Sequence, residues 1–147
     1  MRLYTIGFTK KSAKEFFELL KKNNVRTLLD IRLNNSSQLA GFTKGRDLEY
    51  FLMEMAGIKY IHDVDFSPTK QILNDYKKKI ITWGEYEKLF EKLILKRNIK
   101  DKVNKYFNGN LDGVCLLCSE ATSENCHRRL IAEYLKNSFD YIEIIHL

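Results

Sequence analysis

The sequence predicts an α/β fold: a mostly parallel sheet of about five strands with helices on both faces, in a single domain over residues 1–147. Three observations carry this. Strand-like and helix-like stretches alternate along the chain. The stretch Gly113-Val114-Cys115-Leu116-Leu117-Cys118 is almost continuously apolar, as a strand covered on both faces must be. No repeat, linker or low-complexity tract breaks the pattern, and 147 residues suffice for one core.

Residues 2–6 (Arg2-Leu3-Tyr4-Thr5-Ile6) read as the first strand, stopped by Gly7. Ser12-Ala13-Lys14-Glu15 is a capping box opening a helix that should bury Ala13, Phe16, Phe17 and Leu20. Residues 25–32 read as a second strand, followed by a polar loop from Leu33 to Gly45, long enough to form a lid. A helix near 47–56 places Leu48, Phe51, Leu52 and Met55 on one face and stops at Gly57. Residues 58–62 read as the third strand. Ser67-Pro68 reads as the opening of a helix, with Ser67 as its cap. Thr82-Trp83-Gly84-Glu85 is a second capping box, starting a helix to about Arg97 with Tyr86, Leu89, Phe90, Leu93 and Ile94 inward. A short helix near 100–107, the apolar strand 113–118, a helix from about 124 to 136 and a last strand 141–146 follow. The first, second and fourth strands, being the most apolar, should occupy the centre of the sheet.

No apolar stretch approaches the roughly 20 residues that span a bilayer, so a membrane is not expected as a partner. The first residues are too poor in apolar side chains for a secretory signal, and three cysteines without one suggest reduced thiols and a cytoplasmic location. The formal charge of +6 invites an anionic small molecule or nucleic acid as partner. Lys77, Lys78, Lys79, Lys88, Lys92 and Lys96 could follow a phosphate backbone, although such spacing also describes a solvated helix face. Tyr50, Tyr60, Phe66, Tyr76 and Trp83 could stack on bases, but most should belong to the core.

In parallel sheets, ligands bind beyond the carboxyl ends of the strands. Gly7, Phe8 and Thr9 follow the first strand, Asp30 and Arg32 end the second, and Cys118 and Glu120 end the fourth. Cys126-His127-Arg128-Arg129 opens the next helix, with Thr122 or Ser123 as candidate cap. At about 100° per residue, His127 shares the stripe of Leu130, Ile131, Tyr134 and Leu135 and should face the sheet. The edge should therefore gather a thiol, two carboxylates, an imidazole and guanidiniums.

Leu116-Leu117-Cys118-Ser119-Glu120 with Cys126-His127-Arg128-Arg129-Leu130-Ile131-Ala132 resembles the "domain of unknown function 488" family. Thr5-Ile6-Gly7-Phe8-Thr9 and Asp30-Ile31-Arg32 share that resemblance, and Ser67 to Leu73 is similar to one branch of the family. The resemblance covers essentially the whole chain. It implies an α/β domain with a site near Gly7, Asp30, Arg32, Cys118, Glu120, Cys126, His127 and Arg128, and no established activity. Cys115 is not part of the motif, and Phe8 stands where His is common.

The candidate catalytic groups are Cys118 as nucleophile, His127 as base, Glu120 as orienting group or proton donor, and Asp30. Alternatively, Glu120 and Asp30 are the acid and base and the thiols are structural. The Glu120 charge should work against a thiolate at Cys118. Arg32, Arg128, Gly7, Thr9 and Cys126 are the candidate substrate-binding residues, with the two arginines as anion clamps or as partners of buried acids. No cofactor is expected, and a metal is not either. In a strand, Cys115 and Cys118 point to opposite faces, while Cys126 and His127 diverge on a helix. A weaker metal site from Cys118, Glu120 and His127 stays open. A phosphatase loop fails because the sixth residue after Cys118 is Glu124, not Arg, and Gly41–Arg46 lacks the ending of a Walker loop.

The expected function is an enzyme, a Cys- or carboxylate-based hydrolase or transferase, acting on a nucleotide or nucleic-acid-related anion. The alternative is a non-catalytic nucleic-acid-binding or protein-interaction module in which the same cluster is a buried structural network.

Overall fold

Along the chain, β1 (Arg2–Gly7), α1 (Ala13–Lys22), β2 (Thr27–Asp30), α2 (Gly45–Ala56) and β3 (Lys59–His62) come first. They are followed by α3 (Lys70–Lys77), α4 (Trp83–Lys96), α5 (Ile99–Phe107), β4 (Val114–Cys118), α6 (His127–Ser138) and β5 (Glu143–His146). The computed structural model describes residues 1–36 and 40–147, so 37–39 of the expected polar loop lie outside the described residues. The five strands form one sheet in the order β3-β2-β4-β1-β5, and every neighbouring pair is parallel.

The strands expected at the centre are there. β4 is buried at every residue because β1 and β2 flank it and helices cover both of its faces. Alternation divides its side chains. Cys115 and Leu117 pack with Leu28 of β2, Phe16 and Phe17 of α1, and Leu48 and Leu52 of α2. Val114, Leu116 and Cys118 join Leu29 of β2 and the buried stripes of α4, α5 and α6. Apolar burial of this kind is worth about 25 cal/mol per Å², and it sets which side chains meet beyond the strand ends.

Both capping boxes form. The Ser12 hydroxyl accepts from the Glu15 amide, and the Thr82 hydroxyl accepts from the Glu85 amide. Gly57 closes α2 in the left-handed region at φ 62°. Other expectations shift. The helix expected at Ser67 begins at Lys70 and is capped by Thr69, because Ser67 ends a 3-10 turn and its hydroxyl donates to the Pro68 carbonyl. The helix expected from about 124 begins at His127, with Cys126 rather than Thr122 or Ser123 at its cap. Ala13, Met55 and Leu89, expected inward, are exposed.

Topology places the site. From β2 the chain enters α2 on one face of the sheet, whereas from β4 it enters α6 on the other. Neighbouring strands whose connections part in this way leave a crevice between their carboxyl ends, the usual ligand position in open parallel sheets. Here that crevice lies between Asp30-Ile31-Arg32 and Cys118-Ser119-Glu120. No helix among the described residues is long and apolar enough to cross a membrane.

Candidate functional site

Cys118 ends β4 on the side covered by α6, and His127 is the first residue of that helix; both are buried. The His127 ring is fixed by its Nε2, 2.7 Å from the Ile31 carbonyl oxygen beyond β2. A carbonyl only accepts, so Nε2 carries the proton and Nδ1 presents a lone pair in the neutral ring. That Nδ1 lies 3.5 Å from Cys118 Sγ. The edge of the imidazole packs on Phe90, with ring centroids 5.8 Å apart.

Cys126 joins them. As the residue capping α6 it has extended backbone, φ −133° and ψ 138°, so the divergence expected of two helical neighbours does not apply. The ligand atoms of Cys118, Cys126 and His127 all lie within 4.8 Å of one another. Cys115 faces the opposite side of the sheet, as strand alternation requires.

These surroundings hold the Cys118 thiol below its ordinary pKa. Donation from the Cys126 thiol contributes most, against burial, and the Ser119 and Glu120 amides and the Arg128 guanidinium add to it. Cys126 is pushed up because its proton serves Cys118 and because it is buried. Burial pushes Cys115 up.

Arg128 is 1% exposed. Its Nη1 donates to the Glu120 carbonyl at 2.5 Å and to Cys126 Sγ at 3.8 Å, and its Nη2 donates to the Ala121 carbonyl at 3.4 Å. Its Nε has no hydrogen-bond partner among the described residues. The guanidinium favours the anionic form of Cys118, after the larger effects of the Cys126 thiol and the Ser119 amide. Burial, and then the same guanidinium, depress Lys11.

The remaining candidates divide by face. Asp30 is in register with Leu117, so it projects away from Cys118, and the two do not share the rim expected of them. Its carboxylate takes a bidentate pair from Arg32, at 2.8 Å to both Nε and Nη2, and a 2.6 Å bond from the Tyr60 hydroxyl. Burial and the Asp30 charge push Tyr60 up. Arg32 Nη2 also donates to the Thr43 carbonyl at 2.6 Å, and its guanidinium lies 5.3 Å from the Phe8 ring centre. Arg32 Nη1 has no partner among the described residues.

Glu120 is exposed; its amide serves Cys118 and its carbonyl serves Arg128, so the expected conflict with a thiolate does not govern the site. Gly7 is a point of close approach: an added Cβ would lie 1.6 Å from the Glu120 carbonyl oxygen and 2.7 Å from Arg128 Nη1. The Thr9 amide donates to the Ser119 carbonyl at 3.1 Å, and its hydroxyl donates to the same oxygen, tying the end of β1 to the exit of β4.

A cleft of about 360 Å³ opens on this cluster, lined by Tyr76, Trp83 and Tyr86 together with Cys118, Cys126 and His127. Arg32, Asn34 and Glu120 also border it. Trp83 stacks on Tyr86 with centroids 4.6 Å apart. The sequence marks Tyr76 and Trp83 as possible stacking residues, while Tyr86 reads only as core. The lysines at 77–79, 88, 92 and 96 are exposed and do not line the cleft.

The model of the family described as "Domain of unknown function DUF488" matches residues 12–135, and the chain belongs to that family. No curated protein and no solved structure matches the chain.

Three substitutions test this division. Gly7→Ala should destabilise by about 3 kcal/mol or more, since the obstructing atom is backbone. Gly57→Ala, where nothing lies within 4 Å, should cost about 1 kcal/mol. Urea unfolding compares them, and equal costs would mean that the β1–β4 contact is slack. Asp30→Asn, which strips a buried arginine of its counter-charge, should cost about 3–5 kcal/mol while leaving the pH dependence of Cys118 alkylation unchanged. A shift in that pH dependence would bring Asp30 back to the reacting thiol.

Proposed function

We propose that this protein is a thiol-dependent hydrolase or transferase, with Cys118 as nucleophile and His127 as its base, acting on an anionic, nucleotide-like substrate. The observation that carries the reading is the 3.5 Å approach of His127 Nδ1 to Cys118 Sγ while Nε2 is held on the Ile31 carbonyl. Nδ1 takes the thiol proton, and the thiolate attacks the electrophilic centre of the substrate. The same proton then passes to the leaving group. Water or an acceptor hydroxyl, deprotonated by Nδ1, releases the bound group from sulfur. The Cys126 thiol, then the Ser119 amide, Arg128 and the Glu120 amide favour the thiolate before substrate arrives.

The cleft supports the substrate class. Its volume suits a small ligand. Tyr76, Trp83 and Tyr86 give the cleft an aromatic wall suited to a planar group, and Arg32 borders it as a guanidinium suited to an anion. A carboxylate pair of Asp30 and Glu120 is the weaker mechanism, because Asp30 projects from the other face and is committed to Arg32 and Tyr60. Three free cysteines fit a cytoplasmic protein.

Alkylation rates measured against pH test the dyad. With its folded pKa lowered, Cys118 should react with a midpoint below that of an ordinary thiol. Cys126→Ala should move the midpoint up, and His127→Gln should slow the reaction at neutral pH by about tenfold or more. Cys118→Ser should leave thermal stability nearly intact; a collapse would make the cluster a buried structural network instead. Trp83, the only tryptophan, reports occupancy of the cleft. Nucleoside monophosphates should quench its fluorescence with saturation, more strongly than the nucleosides and less strongly in high salt. Absence of quenching would remove the nucleotide assignment.

A further inference from the structure

We propose that Cys118, Cys126 and His127 form a three-ligand site for a zinc-type divalent cation, with the fourth coordination position open to the cleft. The inference uses the same cluster as the proposed thiol chemistry but does not depend on Cys118 acting as a nucleophile.

Three features of the cluster point to a metal. The first is spacing. Zinc bonds of about 2.3 Å to sulfur and 2.0–2.1 Å to nitrogen, at a tetrahedral angle, put sulfur and nitrogen about 3.6 Å apart. Cys118 Sγ and His127 Nδ1 are 3.5 Å apart, and Cys126 Sγ completes a set within 4.8 Å. The second is the orientation of the imidazole. Metal-binding histidines commonly donate their other ring N–H to a carbonyl, which fixes the free lone pair on the metal; the Ile31 carbonyl does this at 2.7 Å. The third is access. All three ligand residues are buried, yet all three line the cleft, so an ion there would retain one face for water or for an anionic ligand.

Two sulfurs and one nitrogen select a borderline or soft ion and disfavour magnesium and calcium, which take oxygen. Two thiolates neutralise a divalent charge, and Arg128 Nη1 donates to Cys126 Sγ at 3.8 Å, a supporting hydrogen bond to that ligand. The bound ion uses the electron pair that Cys118 would otherwise direct at a substrate. The metal-loaded protein is therefore the blocked form of the thiol.

Cobalt(II) titration of the reduced, metal-free full chain reads this directly. The expected result is one-to-one binding with a thiolate-to-cobalt charge-transfer band and the intense visible bands of a tetrahedral ion, bleached by added zinc. Cys126→Ala and His127→Gln should each weaken binding by about tenfold or more, and Cys126→Ala should also reduce the charge-transfer intensity. Cys115→Ala, on the other face, should change neither. Zinc should suppress alkylation of Cys118. A weak octahedral cobalt spectrum, or an affinity untouched by Cys126→Ala, would overturn the site. If a variant fails to fold, the charge-transfer band of the unaltered protein still decides, because it requires sulfur on the metal. Alkylation of the metal-free protein judges the dyad separately, so failure of one reading is distinguishable from failure of the other.

Discussion

Arg128 is buried beneath the exit of β4 with carbonyl oxygens and a sulfur around it and, among the described residues, no carboxylate in its hydrogen-bond shell. A guanidinium does not give up its proton in a protein, so its charge has to be met where it lies. The Glu120 and Ala121 carbonyls meet part of it, and a thiolate at Cys118 meets more. Much of the local chain path follows from this charge. The Glu120 carbonyl must come within reach of Nη1, and that approach leaves no room for a side chain at position 7. The Thr9 bonds to Ser119 hold the neighbouring peptide in the same turn. The anionic form of Cys118 is thus favoured by groups whose positions are set by backbone packing, before any ligand is considered.

The opposite face solves a similar problem in another way. Arg32 is nearly as buried as Arg128, but Asp30 gives it a bidentate partner; its Nη2 also donates to the Thr43 carbonyl, and the Tyr60 hydroxyl donates to Asp30. The pair holds the chain just past β2, where His62 adds a 2.8 Å bond to the Arg32 carbonyl. Ile31 lies between the two paired residues, and its carbonyl holds His127. Asp30 and Arg32 thus flank the peptide that holds His127, and neither hydrogen-bonds to the thiol among the described residues.

Most of this architecture was legible in the sequence, and the exceptions have physical causes. Period and capping chemistry located the strands, the helices at 13 and 83, and the central place of the most apolar strands. The family motif and the strand-end rule brought Cys118 and His127 together. What failed was the pooling of every strand-end polar group into one rim. Residues two apart share a face, but whether Asp30 and Cys118 share one depends on register between strands, and pairing Asp30 with Leu117 puts them on opposite faces. Sequence spacing starts the helix carrying His127 about one turn early, which makes Cys126 a helical residue pointing elsewhere. Its extended backbone at the cap reverses that direction. Tyr86 follows a helical stripe like any core residue, and only the shape of the cleft shows that its ring also lines a cavity.

A purely structural polar network would be expected to close on itself, because a buried donor left unpaired costs about 1–3 kcal/mol. The groups around the proposed site depart from that pattern. Arg128 Nε and Arg32 Nη1 lack partners among the described residues. Cys118 and His127 line a cavity rather than facing solid packing. The unspent capacity is specific in kind: cationic donors at the arginines, and one electron pair each at a favoured thiolate and a tautomer-fixed imidazole. The donors suit an anion, and the electron pairs suit an electrophile or a soft cation. Both proposals use the same two pairs, so they describe exclusive states of one cluster. Which state prevails is set by the concentrations of substrate and metal ion and by their affinities for the cluster.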